Sequence, residues 1–562
     1  MKSCVNPWCG QPFDVTDEDL AFYDEISPVI GGKKFPIPPP TRCPDCRRQQ
    51  RLLFRNFFNL YHRTCDLSGK KILSAYHRDA PFPVYETSEW WSDKWDGKDY
   101  GLDVDFSGSA FDQMQVLHQS VPRMNVINVL TENCDYCNMS IQCRNCYLMF
   151  GNVGNEDCFY GHIVWQSKNC FDCLYCYKCE LCYECIDCVQ CHSLRFSRDC
   201  DNCADSMFLV HCVGCSDCFG CVALQNKQYC IFNEQHSQED YRRKIDMLNP
   251  GNKNIIAVAK KRVLELTGRE VVKNYHGFNC EHVTGDYLYN CRNIVEGYDL
   301  KNCEDCRYCA TMESFTDSMD CNFSGATSKS ELCYNCLTVG GGSRVFCSHS
   351  CMDRSSDLYY CDNCHACRDC FGCVGLKGQR YCMYNKQYTE REYKELLPTL
   401  IEHMQKTGKW GEFFPTEFSP FAYNETIAQE YFPCTESETT ARGWRWRINE
   451  EEVPDQSSTS VVQAPDDIRD ATDDITKHIL QCRETGKPYK ITQQELEYYR
   501  SMRIPLPQKH FMQRQRERFA VRNPRHLWNR TCTKCKCAIQ TTYAPDRPET
   551  VYCEDCFLKE VY

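Results

Sequence analysis

The sequence predicts a multidomain, mainly β or irregular chain: a duplicated, cysteine-rich, β-solenoid-like centre with helical connectors, flanked by two related α+β modules. Three observations predict it. Cysteines recur at every third residue without a break from Cys170 to Cys191. The block Cys212–Tyr241 returns as Cys364–Tyr393 at a constant offset of 152. Residues 37–63 return without a gap as 504–530 at an offset of 467.

The centre comes first. On an α-helix a step of three drifts about 60° per cysteine and leaves no common face; on a strand it alternates faces. The spacing therefore favours repeated short turns, three residues to a side, stacked so that each unit covers its neighbour. Asn or Asp often precedes the cysteine, as at Asn169, Asp172, Asn302 and Asp305, and these residues favour corners. Within the duplicated block, Cys218, Phe219, Gly220, Cys221, Leu224, Tyr229, Cys230 and Asn233 match Cys370, Phe371, Gly372, Cys373, Leu376, Tyr381, Cys382 and Asn385. Charged, helix-like segments follow Tyr241 and Tyr393, and a helix over roughly 255–266 joins the halves.

At 562 residues the chain is long enough for several domains. The expected division is 1–130, an N-terminal module with an aromatic and acidic extension; 131–250 and 276–408, the two repeat halves; 251–275, a helical connector; 409–475, an acidic polar linker; and 476–562, a C-terminal module. Of 48 cysteines, 36 lie between Cys134 and Cys382. The opening Met1-Lys2-Ser3-Cys4 reaches charge without the apolar run of a secretion signal. No apolar run is long enough to span a membrane. The expected compartment is the cytoplasm, where thiols stay reduced and paired C-x2-C motifs read as metal ligands. A net charge of −12 argues against a wholly basic nucleic-acid coat but leaves room for local basic patches.

Cys532-x2-Cys535 and Cys553-x2-Cys556, 17 residues apart, have zinc-ribbon spacing. Four thiolates on two tight turns make a closed tetrahedron, which suits a structural zinc ion. Cys537 is left over. Near the other end, Cys4-x4-Cys9 and Cys43-x2-Cys46 form a second candidate set. Across the 467-residue offset, Cys65 aligns with Cys532, whereas Cys535, Cys553 and Cys556 align with Ser68, Glu86 and Glu89. Conversely Cys43 and Cys46 align with His510 and Gln513. An ancestral two-site module, each copy keeping a different site, explains the pattern and makes Cys65 a relic. The central thiols admit three readings: further zinc sites, plain packing, or iron–sulfur ligation, the last lacking the C-x3-C-P ending of ferredoxin runs. His192, His211, His349 and His365 are available to complete mixed sites.

Arg47, Arg51 and Arg55 step by four, as do Arg514, Arg518 and Arg522, with Arg63 and Arg530 following. On helices each set makes one cationic stripe. Together with Phe54, Phe57, Phe58, Tyr61, Phe511, Phe519 and Trp528 this is the mixture that grips phosphates and stacks on unpaired bases. Pairing of the same arginines with the chain's own acids is the alternative. No catalytic motif is present: no G-x-S-x-G elbow, P-loop, H-E-x-x-H or dinucleotide fingerprint. Asp99, Asp103 and Asp105 read as solvated loop carboxylates more readily than as a cation site.

The stretches Cys9-Gly-Gln-Pro-Phe, Pro38-Pro39-Pro40 with Cys43-Pro-Asp-Cys46-Arg, Trp90-Trp91-Ser-Asp-Lys-Trp95, Phe219-Gly-Cys221 and Arg547-Pro-Glu-Thr-Val-Tyr552-Cys carry a resemblance. They resemble a family of large cysteine-rich, zinc-ribbon-ended proteins of uncultivated small-genome bacteria, over nearly the whole chain. Some members carry a CoA-transferase-like label that no residue here supports, and the resemblance implies no activity.

Two functional expectations follow. One is a zinc-binding, non-enzymatic protein that contacts structured RNA, with the ribosome as a candidate partner, through the arginine-striped helices. The other is a cysteine-rich protein-interaction scaffold or metal reservoir, with iron–sulfur electron transfer a weaker third.

Overall fold

A computed structural model describes residues 1–324, 328–448 and 461–561. Its centre consists of two parallel β ladders in which the chain repeatedly meets itself twelve residues later. In the first, Asn138 pairs with Phe150, Phe150 with His162 and His162 with Leu174. Isolated bridges continue the same step through Ile186, Arg198, Val210 and Val222. The second holds a 13-stranded sheet. There Arg292 pairs with Glu304, Glu304 with Thr316, and Ser356 with Arg368. The register lengthens to fifteen where Thr316 meets Glu331 and to thirteen where Ser343 meets Ser356.

Each side of three residues has a fixed division of labour. Phe171 bridges forward, its N–H donating to Cys182 O at 2.9 Å; Asp172 bridges backward, donating to Phe159 O at 2.9 Å. Cys173 points inward and is wholly buried. The middle residue holds the left-handed conformation, as at Asn169 (φ 51°), Asp172 (φ 57°), Tyr175 (φ 54°) and Lys178 (φ 53°). That conformation costs an ordinary residue about 1–2 kcal/mol, less for Asn and Asp, whose side chains tolerate it. The enrichment of Asn and Asp before cysteine is thus a corner preference, and the stacked hydrogen bonds hold the remaining corners.

The terminal modules share their elements. Helix Asp17–Ile26 opens on a Thr16/Asp19 capping box, and helix Gln493–Ser501 on Thr492/Glu495. Helices Pro44–Leu52 and Phe511–Val521 follow, then hairpins pairing Tyr61 with Ser74 and Trp528 with Thr541. The N-terminal helices pack on the second ladder and the C-terminal helices on the first, in two separate apolar clusters. Between the ladders, helix Lys253–Thr267 leads to strand Val271–Lys273, which pairs in parallel with Thr550–Tyr552 of the C-terminal module.

The expected linker at 409–475 is only partly one. Trp410, Phe413, Phe414, Tyr423 and Ile427 are buried in the N-terminal cluster, and Ile427 N donates to Arg55 O at 2.8 Å. Residues Glu450–Glu452 and Gln456–Ser460, which prompted that expectation, lie outside the described residues. Among the described residues no helix is long and apolar enough to cross a membrane.

Candidate metal centre

Both terminal cysteine sets converge. The ligand atoms of Cys4, Cys9, Cys43 and Cys46 lie within 4.8 Å of one another, as do those of Cys532, Cys535, Cys553 and Cys556. In the first, Cys4 follows a short hairpin strand, while Cys43 caps helix Pro44–Leu52 and Cys46 sits in its first turn. A helix N-terminus favours the thiolate. Hydrogen bonding from the Cys46 thiol, helped by further donors, outweighs burial and holds the Cys43 thiol down at about 5. In the second set burial opposes charge on Cys532, but N–H groups of Cys535, Cys553 and Lys534 overcome it and bring that thiol to about 6. Four convergent sulfurs on backbone-donating turns could hold a metal ion in each set. Cys537, outside the set in sequence, lies with its sulfur 3.3 Å from that of Cys535.

Cys65 keeps the same turn without the ligands. Its sulfur accepts from Ser68 N at 3.5 Å and Glu86 N at 3.3 Å, at the places of Cys535 and Cys553. Cys482 is the reciprocal case, which sequence reading missed. Its N–H donates to Lys487 O and its carbonyl accepts from Gly486, as Cys65 does with Lys70 and Gly69. Backbone donors, among them that of His510 at the place of Cys43, help lower its pKa. The shared Cys-x3-Gly pattern was the available signal.

The central thiols serve hydrogen bonding. Cys170 Sγ donates to Lys168 O (3.3 Å) and Cys179 O (3.4 Å), and Cys203 Sγ to Asp201 O and Cys212 O, both 3.4 Å. The sulfur also accepts: Cys215 N donates to Cys203 Sγ at 3.4 Å. Serine stands at equivalent inward places and makes part of the same pattern, donating to the carbonyl two residues back and accepting from the next turn. Ser206 Oγ donates to Ala204 O (2.7 Å) and accepts from Cys218 N (2.9 Å); Ser348 donates to Phe346 O (2.7 Å) and accepts from Cys361 N (3.0 Å). Among the described residues, the cysteine groups whose sulfurs all converge within 4.8 Å are the two terminal ones, and the central thiols are described by their hydrogen bonds.

Arg47, Arg51, Arg514 and Arg518 lie on the two helices and Arg55 and Arg522 just past their ends, and these side chains turn inward, which corrects the expected nucleic-acid grip. Arg47 and Arg51 both meet Asp320, at 2.9 and 3.2 Å; Arg514 and Arg518 both meet Asp172, at 3.0 and 2.9 Å. Arg522 pairs with Asp187 at 2.7 Å and with Asp299, which Arg525 also holds. Arg55 is buried against Thr338 and Met139; burial lowers its pKa to about 10. Arg63 and Arg530 fold back on carbonyls of their own hairpins, those of His77 and of Tyr543 and Ala544. Phe54 and Phe57 are core residues. Asp172, Asp187, Asp299 and Asp320 all occupy left-handed corners. One aspartate thus satisfies both the corner and the cation, a coupling invisible until the corners are placed. Asp103 pairs with Lys386 and Asp105 with Ser107, so the Asp99–Asp105 carboxylates do not converge.

Against protein-family models and curated protein sequences, the chain finds no match.

Proposed function

We propose that this is a zinc-binding architectural protein in which the two ladders are β-solenoids stapled by zinc-pinned modules at either end of the chain. What carries the reading is the convergence of four sulfurs in each terminal set. The buried arginine–aspartate pairs support it further, since they commit the modules to holding the ladders and leave the stripes no face for RNA. The reading differs from both earlier expectations: it gives the arginines to the chain's own aspartates instead of RNA or ribosome contact, and it asks neither a protein partner nor a metal reservoir of the cysteine repeat.

The test is elemental analysis joined to chelation. About two zinc ions per chain should resist desalting, and Cys43→Ser/Cys46→Ser and Cys532→Ser/Cys535→Ser should each remove about one. A strong chelator should unfold the terminal modules, read by loss of near-ultraviolet circular dichroism. Zinc-free protein with an unchanged spectrum, or cystines among these eight residues, overturns the reading.

A further inference from the structure

A third group of ligands lies where the first ladder, the connector, the start of the second ladder and the C-terminal module meet. Asp199 and His211 are left-handed corner residues twelve apart (φ 52° and 53°), so the ladder stacks them on neighbouring turns of one corner. His276 reaches the same place from the start of the second half. One ligand atom from each of Asp199, His211 and His276 falls within a 4.8 Å group.

The orientation of the two imidazoles is what points to a metal. His211 Nδ1 is held by Glu270, 3.1 and 3.0 Å from its two oxygens, while Nε2 faces Asp199 Oδ2 at 3.4 Å. His276 Nδ1 is held by Asp286 at 2.9 Å, and Asp286 is itself fixed by the N–H groups of His276 and Tyr287 at 2.6 and 3.0 Å. His276 also stacks flat on Tyr287 with ring centroids 4.5 Å apart. Both rings thus have Nδ1 fixed by a carboxylate and Nε2 directed elsewhere. This is the arrangement by which proteins orient metal-binding histidines and raise their basicity. His276 Nε2 meets a movable group, the Tyr543 hydroxyl at 3.1 Å.

These residues line a cavity of about 280 Å³ that also takes in Lys273, Tyr275 and Tyr289. Its position at the meeting of several elements, with few convergent polar groups, is typical of a ligand site. We propose that Asp199, His211 and His276 bind one divalent first-row transition ion through a carboxylate oxygen and the two Nε2 atoms, with Glu270 and Asp286 as positioning residues. Two histidines and one carboxylate leave coordination positions open. Those positions face the cavity, so water or a small anion completes the shell. In contrast to the closed all-sulfur sets, this site is built to exchange a ligand.

Without a metal, the same contacts are explained by a proton on His211 shared between two carboxylates, and the experiment separates the two. Full-length protein with its terminal sites filled by zinc is titrated with Co²⁺, followed by visible absorption and equilibrium dialysis. The expected result is about one Co²⁺ per chain with d–d bands of a nitrogen and oxygen shell and no sulfur-to-cobalt charge transfer. His211→Gln and His276→Gln should abolish it, and Glu270→Gln should weaken it about 10–100-fold. Retention of both zinc ions shows that each variant is folded, and Glu270→Gln, which removes no ligand, serves if a histidine variant loses them. Absence of Co²⁺ binding, binding unchanged in a zinc-replete His276→Gln protein, or uptake only with thiolate charge transfer overturns the proposal.

Discussion

The inward residue of each three-residue side is most often cysteine, in places serine, and elsewhere an apolar residue such as Val164, Leu194 or Leu209. Its own N–H points into the ladder, and carbonyls from its own and the next turn approach within reach. A short side chain that both donates and accepts answers both, and cysteine adds the apolar bulk that fills the space. Cys203 is the clearest instance, accepting from Cys215 N and donating to Asp201 O and Cys212 O. Replacing it by serine keeps both roles, so Cys203→Ser should change stability by about 1 kcal/mol or less and leave metal content untouched. Cys203→Ala strands the Cys215 N–H in a buried setting and should cost about 1–3 kcal/mol. Urea midpoints of the two variants, with elemental analysis, check this; a fall in bound metal on Cys203→Ser would mean that the thiols are ligands after all.

At the scale of elements, the sequence disclosed helices and left their partners hidden. The four-residue step of Arg514 and Arg518 correctly indicates one helical face, and the helix forms over Phe511–Val521. Which way that face turns depends on Asp172, 342 residues away in the chain, and no local pattern carries that distance. The two four-cysteine sets were legible because each draws its sulfurs from two short stretches of chain; the Asp199–His211–His276 group was not, because its members meet only once the twelve-residue register is known. The helix-to-ladder attachment yields a measurable consequence. Asp172 is fully buried between two guanidinium groups, and burial raises its pKa even though Arg514 and Arg518 oppose that. Asp172→Asn keeps the corner conformation and the shape but leaves both arginines uncompensated, so it should destabilise by about 3–5 kcal/mol. Asp45→Asn, which breaks the half-exposed Arg48 pair, should cost under about 1 kcal/mol. Comparable losses from the two would show that the buried pairs do not hold the module in place.

Over the whole molecule, two modules and two ladders are joined through interfaces that bury histidine as the neutral imidazole. His162 is wholly buried where Phe57 and Phe58 of the N-terminal module and Phe519 of the C-terminal helix meet the first ladder. Burial takes its pKa to about 3, and its Nδ1 lies 3.0 Å from Phe150 O. His118, beside Arg123 and Asp362 on the second ladder, is likewise lowered by burial to about 3. A histidine whose folded pKa is depressed contributes stability that is complete above its unfolded value near 6.5 and is lost as the pH falls towards the folded value. Each should therefore remove up to about 1.4 kcal/mol per pH unit between roughly pH 6 and 4. Burial acts in the opposite sense on Asp187, raising its pKa although Arg522 opposes that. The net slope of the wild type mixes these terms, and acid would also compete with any metal held by the terminal cysteine sets. The informative quantity is a difference. His162→Gln keeps a donor for Phe150 O but cannot titrate. Its urea midpoint should fall less steeply than the wild type's between pH 6.5 and 5, by about 1.4 kcal/mol per unit at the acid end, with the curves parallel above pH 7. Parallel curves throughout would place a charged or solvated imidazole at this junction and undo the account of how the modules close on the ladders.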